Sequence, residues 1–356
     1  MKKIALGLML AAVPLLSGCS LPGGLGGGTA GPTISFVRSS DGGTTFEPKT
    51  RIDEKTDFAS AEVLSIAFDP KDTRHIFLGT KEAGMFASDN SGDSWRKIKY
   101  PPTRVYGLVI DPNDSQRMFA TGDWQGRGKI YQSVNAGIDW NEVYTEPANG
   151  TVITSLAQNP FNTQVLYAGT STGMIIRTSD GGATWKSLPL SPSMNRHAIW
   201  SMTFDPKQDK TMYILVDGVG VFVSDGEKIV TEPSKSSSGS DGASMTSSGA
   251  TFLALDPSRS GKLYAGSSQG LLRSTDFGKS WSSIGIIESS KKSPIRAVAV
   301  NPKNSDEITY ISALTLYKST DGGAHWSTHQ LVGSGVVSFL RYDSYDPNIV
   351  YVGFKK

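Results

Sequence analysis

Cysteine is almost missing from this chain: Cys19 is the single one in 356 residues, so no disulfide can form within a monomer. Histidine is scarce as well. His75, His197, His325 and His329 show no metal-ligand spacing, and neither a metal nor a cofactor is expected. An excess of one charge is also lacking. The chain carries a formal +2, and without Lys2 and Lys3 it holds 33 basic against 33 acidic residues. That balance leaves no basic stripe to neutralise phosphates, so no nucleic-acid partner is expected. It also leaves no bulk field to steer the protein toward anionic lipid. The apolar stretch from Ile4 to Leu16 is 13 residues long, too short to span a bilayer as a mature helix. Neither a nucleophile elbow nor a phosphate loop occurs, and helical periodicity is nearly absent.

What the N-terminus does contain is a processing signal. Lys2 and Lys3 precede the apolar stretch, and Leu16-Ser17-Gly18-Cys19 matches a bacterial lipobox. Residues 1–18 are therefore expected to be a lipoprotein signal peptide, with Cys19 alkylated by a diacylglyceryl group as the new N-terminus. Several acyl chains anchor stably where one would not. The expected location is extracytoplasmic, lipid-anchored to the cell membrane or to an outer membrane if one is present. Ser20 after the cysteine lacks the Asp that often retains lipoproteins at an inner membrane. Residues 19–33 then read as a lipidated cysteine and a Gly-rich tether, LPGGLGGGTAGP, with a root-mean-square reach of about 20 Å.

From residue 34 the dominant feature is repetition. SDGGATW ends at Trp185, and related turns end at Phe46, Trp95, Trp140, Trp281 and Trp326. The spacing is about 45 residues, with one doubled gap in which VSDGEKIV from Val223 keeps Asp225 but loses the second glycine and the aromatic. Each unit repeats one order. An apolar strand ends in Asp-Pro or Asn-Pro, as in SIAFDP to Pro70 or SMTFDP to Pro206; proline there marks a turn. A second strand such as LYAGT from Leu166 follows, then a third strand into the repeated turn, then a fourth. Four short strands at this period predict a propeller blade. The ends complete the count. Ile34–Phe46 supplies a third and fourth strand, and Val336–Phe354 a first and second. The fold predicted is an all-β, seven-bladed β-propeller over 34–356 with its last blade shared by the two termini, which removes an open edge. The Ser/Gly-rich stretch 227–249 has little that is apolar to bury and is expected to be a disordered surface insertion. A monomer is expected.

The pattern Ser-x-Asp-x-Gly-x-x-Trp resembles the Asp-box, or BNR, repeat of sialidases, xyloglucanase-type glycoside hydrolases, sortilin-type receptors and the photosystem II assembly/stability factor group. The resemblance covers essentially the whole chain after the tether, and its single-propeller length is most similar to the last group. As scaffold, Asp41, Asp180, Asp225, Asp276 and Asp321, with Asn90 and Asn135, are expected to accept hydrogen bonds from backbone N–H groups of their own turns. The closing tryptophans are expected in the outer layer of each blade.

Residues out of register are the better functional candidates. Five positions before the Asp or Asn of each Asp-Pro turn, the column reads Leu64, Tyr106, Thr154, Trp200, Thr251, Arg296 and Ser338, with no common chemistry. It begins the innermost strand, on the channel face opposite the Asp boxes. Trp124, in the longer loop GDWQGRG, opens on the same face. Arg104, Tyr106, Trp124, Arg127, His197, Trp200 and Arg296 are therefore expected to converge on one end of the channel, as aromatics and arginines do in binding hot spots. A glycosidase needs two carboxylates about 5 to 9.5 Å apart; Glu82, Asp123 and Asp217 sit in channel-face loops without a shared motif. The expectation is a non-enzymatic protein that binds a protein or peptide segment. The resemblance to the photosystem factor group implies assistance to a membrane complex. The alternative is a carbohydrate-active protein.

Overall fold

In the computed structural model, residues 33–188, 191–233, 245–267, 270–287 and 294–356 are described. Among them are seven four-stranded sheets in which every neighbouring pair is antiparallel. Six are continuous in sequence: blades 1 to 6 span 63–98, 104–145, 153–188, 199–231, 250–284 and 295–330. In the seventh, the order from the outside is Glu47–Pro48, Phe36–Ser39, Val350–Lys355, Val336–Tyr342. Phe36 pairs with Gly353 and Ser39 with Val350, so the N-terminal strand closes the ring on the C-terminal one. This is the seven-bladed propeller the repeat predicts. The proposed signal peptide, Cys19 and the tether up to Pro32 lie outside the described residues.

Three devices join the blades. The first is a close approach. Gly169, in the LYAGT strand, faces the next blade so tightly that a Cβ there would sit 2.6 Å from Ile199 Cγ2; Gly79 and Gly266 meet Val105 and Ile295 in the same way. The second is the Asp box. Asp180 Oδ1 accepts from Thr184 N at 2.9 Å and Asp276 Oδ1 from Ser280 N at 3.0 Å. Asp41 and Asp321 accept from Thr45 N and His325 N at 2.9 Å. The amide oxygens of Asn90 and Asn135 accept from Ser94 N and Asp139 N at 2.9 Å. Asp225 closes its turn sooner, on Glu227 N and Lys228 N at 3.1 and 2.9 Å. The closing tryptophans stand at the start of their blades' outermost strands, and Trp95 also reaches the neighbouring blade. Trp95 packs edge-on against Phe36 of blade 7 at 5.5 Å, and its indole N–H donates to Lys49 O.

The third device is a buried latch. The Asp of one blade's Asp-Pro turn accepts from the next blade: Asp69 from Ser115 Oγ at 2.6 Å, Asp205 from Ser260 Oγ at 2.6 Å and Gly261 N at 2.8 Å, and Asp256 from Ser305 Oγ. Asp205 is fully buried. Burial raises its pKa, but the hydrogen bonds from Ser260, Lys207, Gly261 and Tyr213 outweigh it, so the carboxyl titrates below its ordinary value.

The stretch 227–249 corrects part of its expectation. Ile229–Thr231 forms the fourth strand of blade 4, and Met245 bridges to Trp281. Ser247 is buried and accepts from Val221 N at 3.1 Å. Both flanks are thus tied to the blades, and 234–244 lies outside the described residues.

Candidate functional site: the channel mouth

In every blade the innermost strand slips register near its start. The slips fall between Val63 and Ser65, Val105 and Leu108, Ile153 and Ser155, Ile199 and Ser201, Ala250 and Phe252, Ile295 and Ala297, and Val337 and Phe339. The skipped residues are the out-of-register column: Leu64, Tyr106 (with Gly107), Thr154, Trp200, Thr251, Arg296 and Ser338. A bulge leaves one residue out of the ladder and re-aims its side chain. Seven bulges around a ring turn this column into the wall of the central channel.

The bulged residues divide by use. Thr154 and Thr251 donate to the carbonyls of Ile199 and Ile295 in the next blade, at 2.7 and 3.2 Å, and so hold the ring. Tyr106, Trp200 and Arg296 line a cavity of about 480 Å³. Trp200 is 50% exposed. Its ring carries the Lys355 ammonium 5.1 Å from the centroid, a cation–π contact from the C-terminal strand. Deeper in, the wall is apolar, with Ile66, Leu108, Leu156, Met202 and Leu253. Arg341 breaks that wall. Among the described residues the lining carries three cations, Arg296, Arg341 and Lys355, and one carboxylate, Asp217. Desolvation lowers the pKa of both Arg341 and Lys355; nearby Glu62 raises that of Lys355 and nearby Arg296 lowers it.

The other four candidates are not among the cavity's lining residues. Arg104 lies 3.6 Å from Asp123 across a strand pair. Trp124 pairs with Arg127 at the tip of an extended hairpin. That tip binds the 146–150 segment through Gly150 N to Gly126 O at 2.9 Å and Arg127 Nε to Asn149 Oδ1 at 2.7 Å. Trp124 is 39% exposed there. His197 places its Nδ1 2.9 Å from Asp217 O and is exposed beside the rim. Of the three acids considered for hydrolysis, Asp217 lines the cavity, Asp123 is held by Arg104, and Glu82 is not in the lining.

Sequence reasoning missed Arg341 and Lys355. Arg341 stands two positions before Asp343, where the other blades have Ala67, Val109, Ala157, Thr203, Ala254 and Ala299. The same subtraction, applied to that column, finds it. Lys355 belongs to a second strand and reaches the mouth by its length, which no register column shows.

Comparison with known proteins agrees with the resemblance that the Asp box carries. A family model described as Sortilin-Vps10 (sortilin, neurotensin receptor 3) matches residues 128–246. The xyloglucanase Xgh74A of Acetivibrio thermocellus is 30% identical over 175 residues, 36% of this chain and 20% of that protein. The chain thus spans about a fifth of the length of the curated relatives it matches. Among solved structures, the GH74 xyloglucanase of Xanthomonas campestris superposes with a TM-score of 0.64 at 18% identity, covering 82% of this chain and 51% of that one. YCF48, a photosystem II assembly factor, bound to a D1 peptide superposes at 0.61 and 14% identity, covering 83% of this chain and 93% of that one. These structural likenesses establish the fold. The expectation of a non-enzymatic protein is corrected: the curated sequence relatives are xyloglucanases and GH74 enzymes are among the structural neighbours, which points toward glycoside hydrolase activity.

Proposed function

We propose that the channel mouth binds an extended segment of polypeptide, with Trp200 as stacking platform, Tyr106 beside it, and Arg296 as hydrogen-bond donor. The observation that carries this reading is the exposed Trp200 ring under the Lys355 ammonium at an open cavity. A large aromatic held in place at low entropy cost, next to arginine, is what hot spots are made of. The fold likeness to a single propeller bound to a peptide supports the polypeptide, because it runs over nearly the whole of both chains. A lipid on Cys19 would keep the protein at an envelope membrane, where assistance to a membrane complex is the role in view. The test is a peptide array probed with the wild type and with the W200A/R296A double variant. Peptides retained by the wild type and lost by the variant support the reading, and equal retention removes it.

Hydrolysis or binding of a β-glucan is the second reading, favoured by the xyloglucanase relatives. Asp217 is the acid it has in the cavity lining, and hydrolysis by the usual route needs a second carboxylate facing it. Release of reducing ends from xyloglucan, lost in Asp217→Asn, supports this reading; no release at any enzyme concentration removes it.

A further inference from the structure

The charges inside the channel do not balance, and the imbalance points to one ligand group. Arg341 lines the cavity from a register position at which the other six blades place an alanine, valine or threonine that does not line it. Its described hydrogen bond is to its own neighbour, Leu340 O, through one guanidinium nitrogen at 3.1 Å. No carboxylate lies within ion-pair distance of it among the described residues. The charged groups in the cavity and beside it come from four elements. Arg296 is on the innermost strand of blade 6, Lys355 on the second strand of blade 7, and Asp217 at the end of a strand in blade 4. Glu62, before the first strand of blade 1, is occupied by Lys81 at 2.9 Å. Three cations therefore share the cavity with one acid. The Ser338 hydroxyl is buried against Gly353 of the neighbouring strand and does not add to this set.

Arg341 keeps exposed surface in the opening, and low-dielectric walls focus the field of such a cation there. A guanidinium presents a planar fork of N–H donors that matches a carboxylate. We propose that Arg341, with Arg296 in the same cavity lining, forms a seat for a carboxylate group in the channel mouth. This deepens the polypeptide reading and rests on it for one point, the source of the carboxylate. A chain end or an acidic side chain entering past Trp200 would place its carboxylate on Arg341, and the apolar wall would take the adjoining aliphatic carbons.

The test uses three probes on the purified full chain: N-acetyl-tetra-alanine with a free C-terminus, the same peptide as the C-terminal amide, and glucuronate. Affinity is measured by calorimetry at matched ionic strength, for the wild type, R341M and R341K. The free acid is expected to bind at least tenfold more tightly than the amide. R341M should abolish that difference, and R341K, which keeps the charge but not the fork, should keep part of it. Circular dichroism melting shows whether each variant folds; if R341M does not, R341K carries the comparison. Binding of glucuronate alone supports the carboxylate seat while removing the polypeptide reading. Equal affinity for acid and amide in the wild type, no binding by any probe, or an unchanged acid preference in a folded R341 variant overturns the seat.

Discussion

Replacing Asp205 by alanine tests whether the blades are held by their buried latches. Asp205 is fully buried and accepts four hydrogen bonds: from Ser260 Oγ at 2.6 Å, Gly261 N at 2.8 Å, the Tyr213 hydroxyl at 2.8 Å and Lys207 N at 3.0 Å. Ser260 and Gly261 belong to the next blade. In D205A the Gly261 N–H and the Tyr213 O–H lose their acceptor in a site that water does not reach, at about 1–3 kcal/mol each. The expected loss is about 4 kcal/mol in all, a large part of a typical folding free energy of about 5–15 kcal/mol. Urea denaturation followed by tryptophan fluorescence measures it, and the midpoint should fall with little change in slope. D205N keeps an acceptor oxygen and should lose roughly half as much. The pH dependence has a fixed sign. The folded-state pKa lies below the unfolded value, so the contribution is whole above the unfolded pKa and is lost as pH falls through the folded one. The stability gap between wild type and D205N should therefore narrow below about pH 4. A D205A loss under 1 kcal/mol, or a gap that widens in acid, would refute the latch.

Three further outcomes are expected. In G169A the new Cβ meets Ile199 Cγ2 and Ser155 Oγ, each 2.6 Å away, and overpacking of this kind should cost about 1–3 kcal/mol in thermal or urea unfolding. Deleting residues 33–48 leaves Val350–Lys355 as an unpaired edge and removes Phe36 from Trp95, so light scattering should show more self-association than in the intact chain. Cys19→Ser should abolish incorporation of labelled palmitate and release the protein from membranes; unchanged incorporation would refute lipidation at that residue.

Most of the fold was legible because repetition multiplies a weak signal. One Asp-Gly turn predicts little, but the same turn at a fixed period, with Asp-Pro and Tyr-Ala-Gly-Thr between, fixed the strand count and the shared last blade. The role of the glycine in LYAGT was not legible, since close approach to Ile199 is a property of the next blade. Nor were the latches, because Ser115, Ser260 and Ser305 look like ordinary turn residues until the blades are side by side. In the site, the column containing Tyr106, Trp200 and Arg296 could be read as variable. The bulge that turns it into the channel is a slip in backbone pairing, which leaves no mark on side-chain chemistry. Trp124 and Arg127 stand apart from the cavity lining for a different reason. The longer hairpin ends at the Trp124–Arg127 pair, and Arg127 bonds Asn149 of the 146–150 segment.

The claim on which the function rests is that ligand enters at the mouth formed by the seven bulges. Incorporating a photo-crosslinking phenylalanine analogue at position 200, and separately at the exposed Ile138 in an Asp box on the opposite face, tests it directly in intact envelopes. The account predicts that position 200 yields a discrete adduct, mapped by mass spectrometry to one segment of a partner chain and competed by that segment as a synthetic peptide. Adducts of equal yield from position 138, or none at 200, would contradict it.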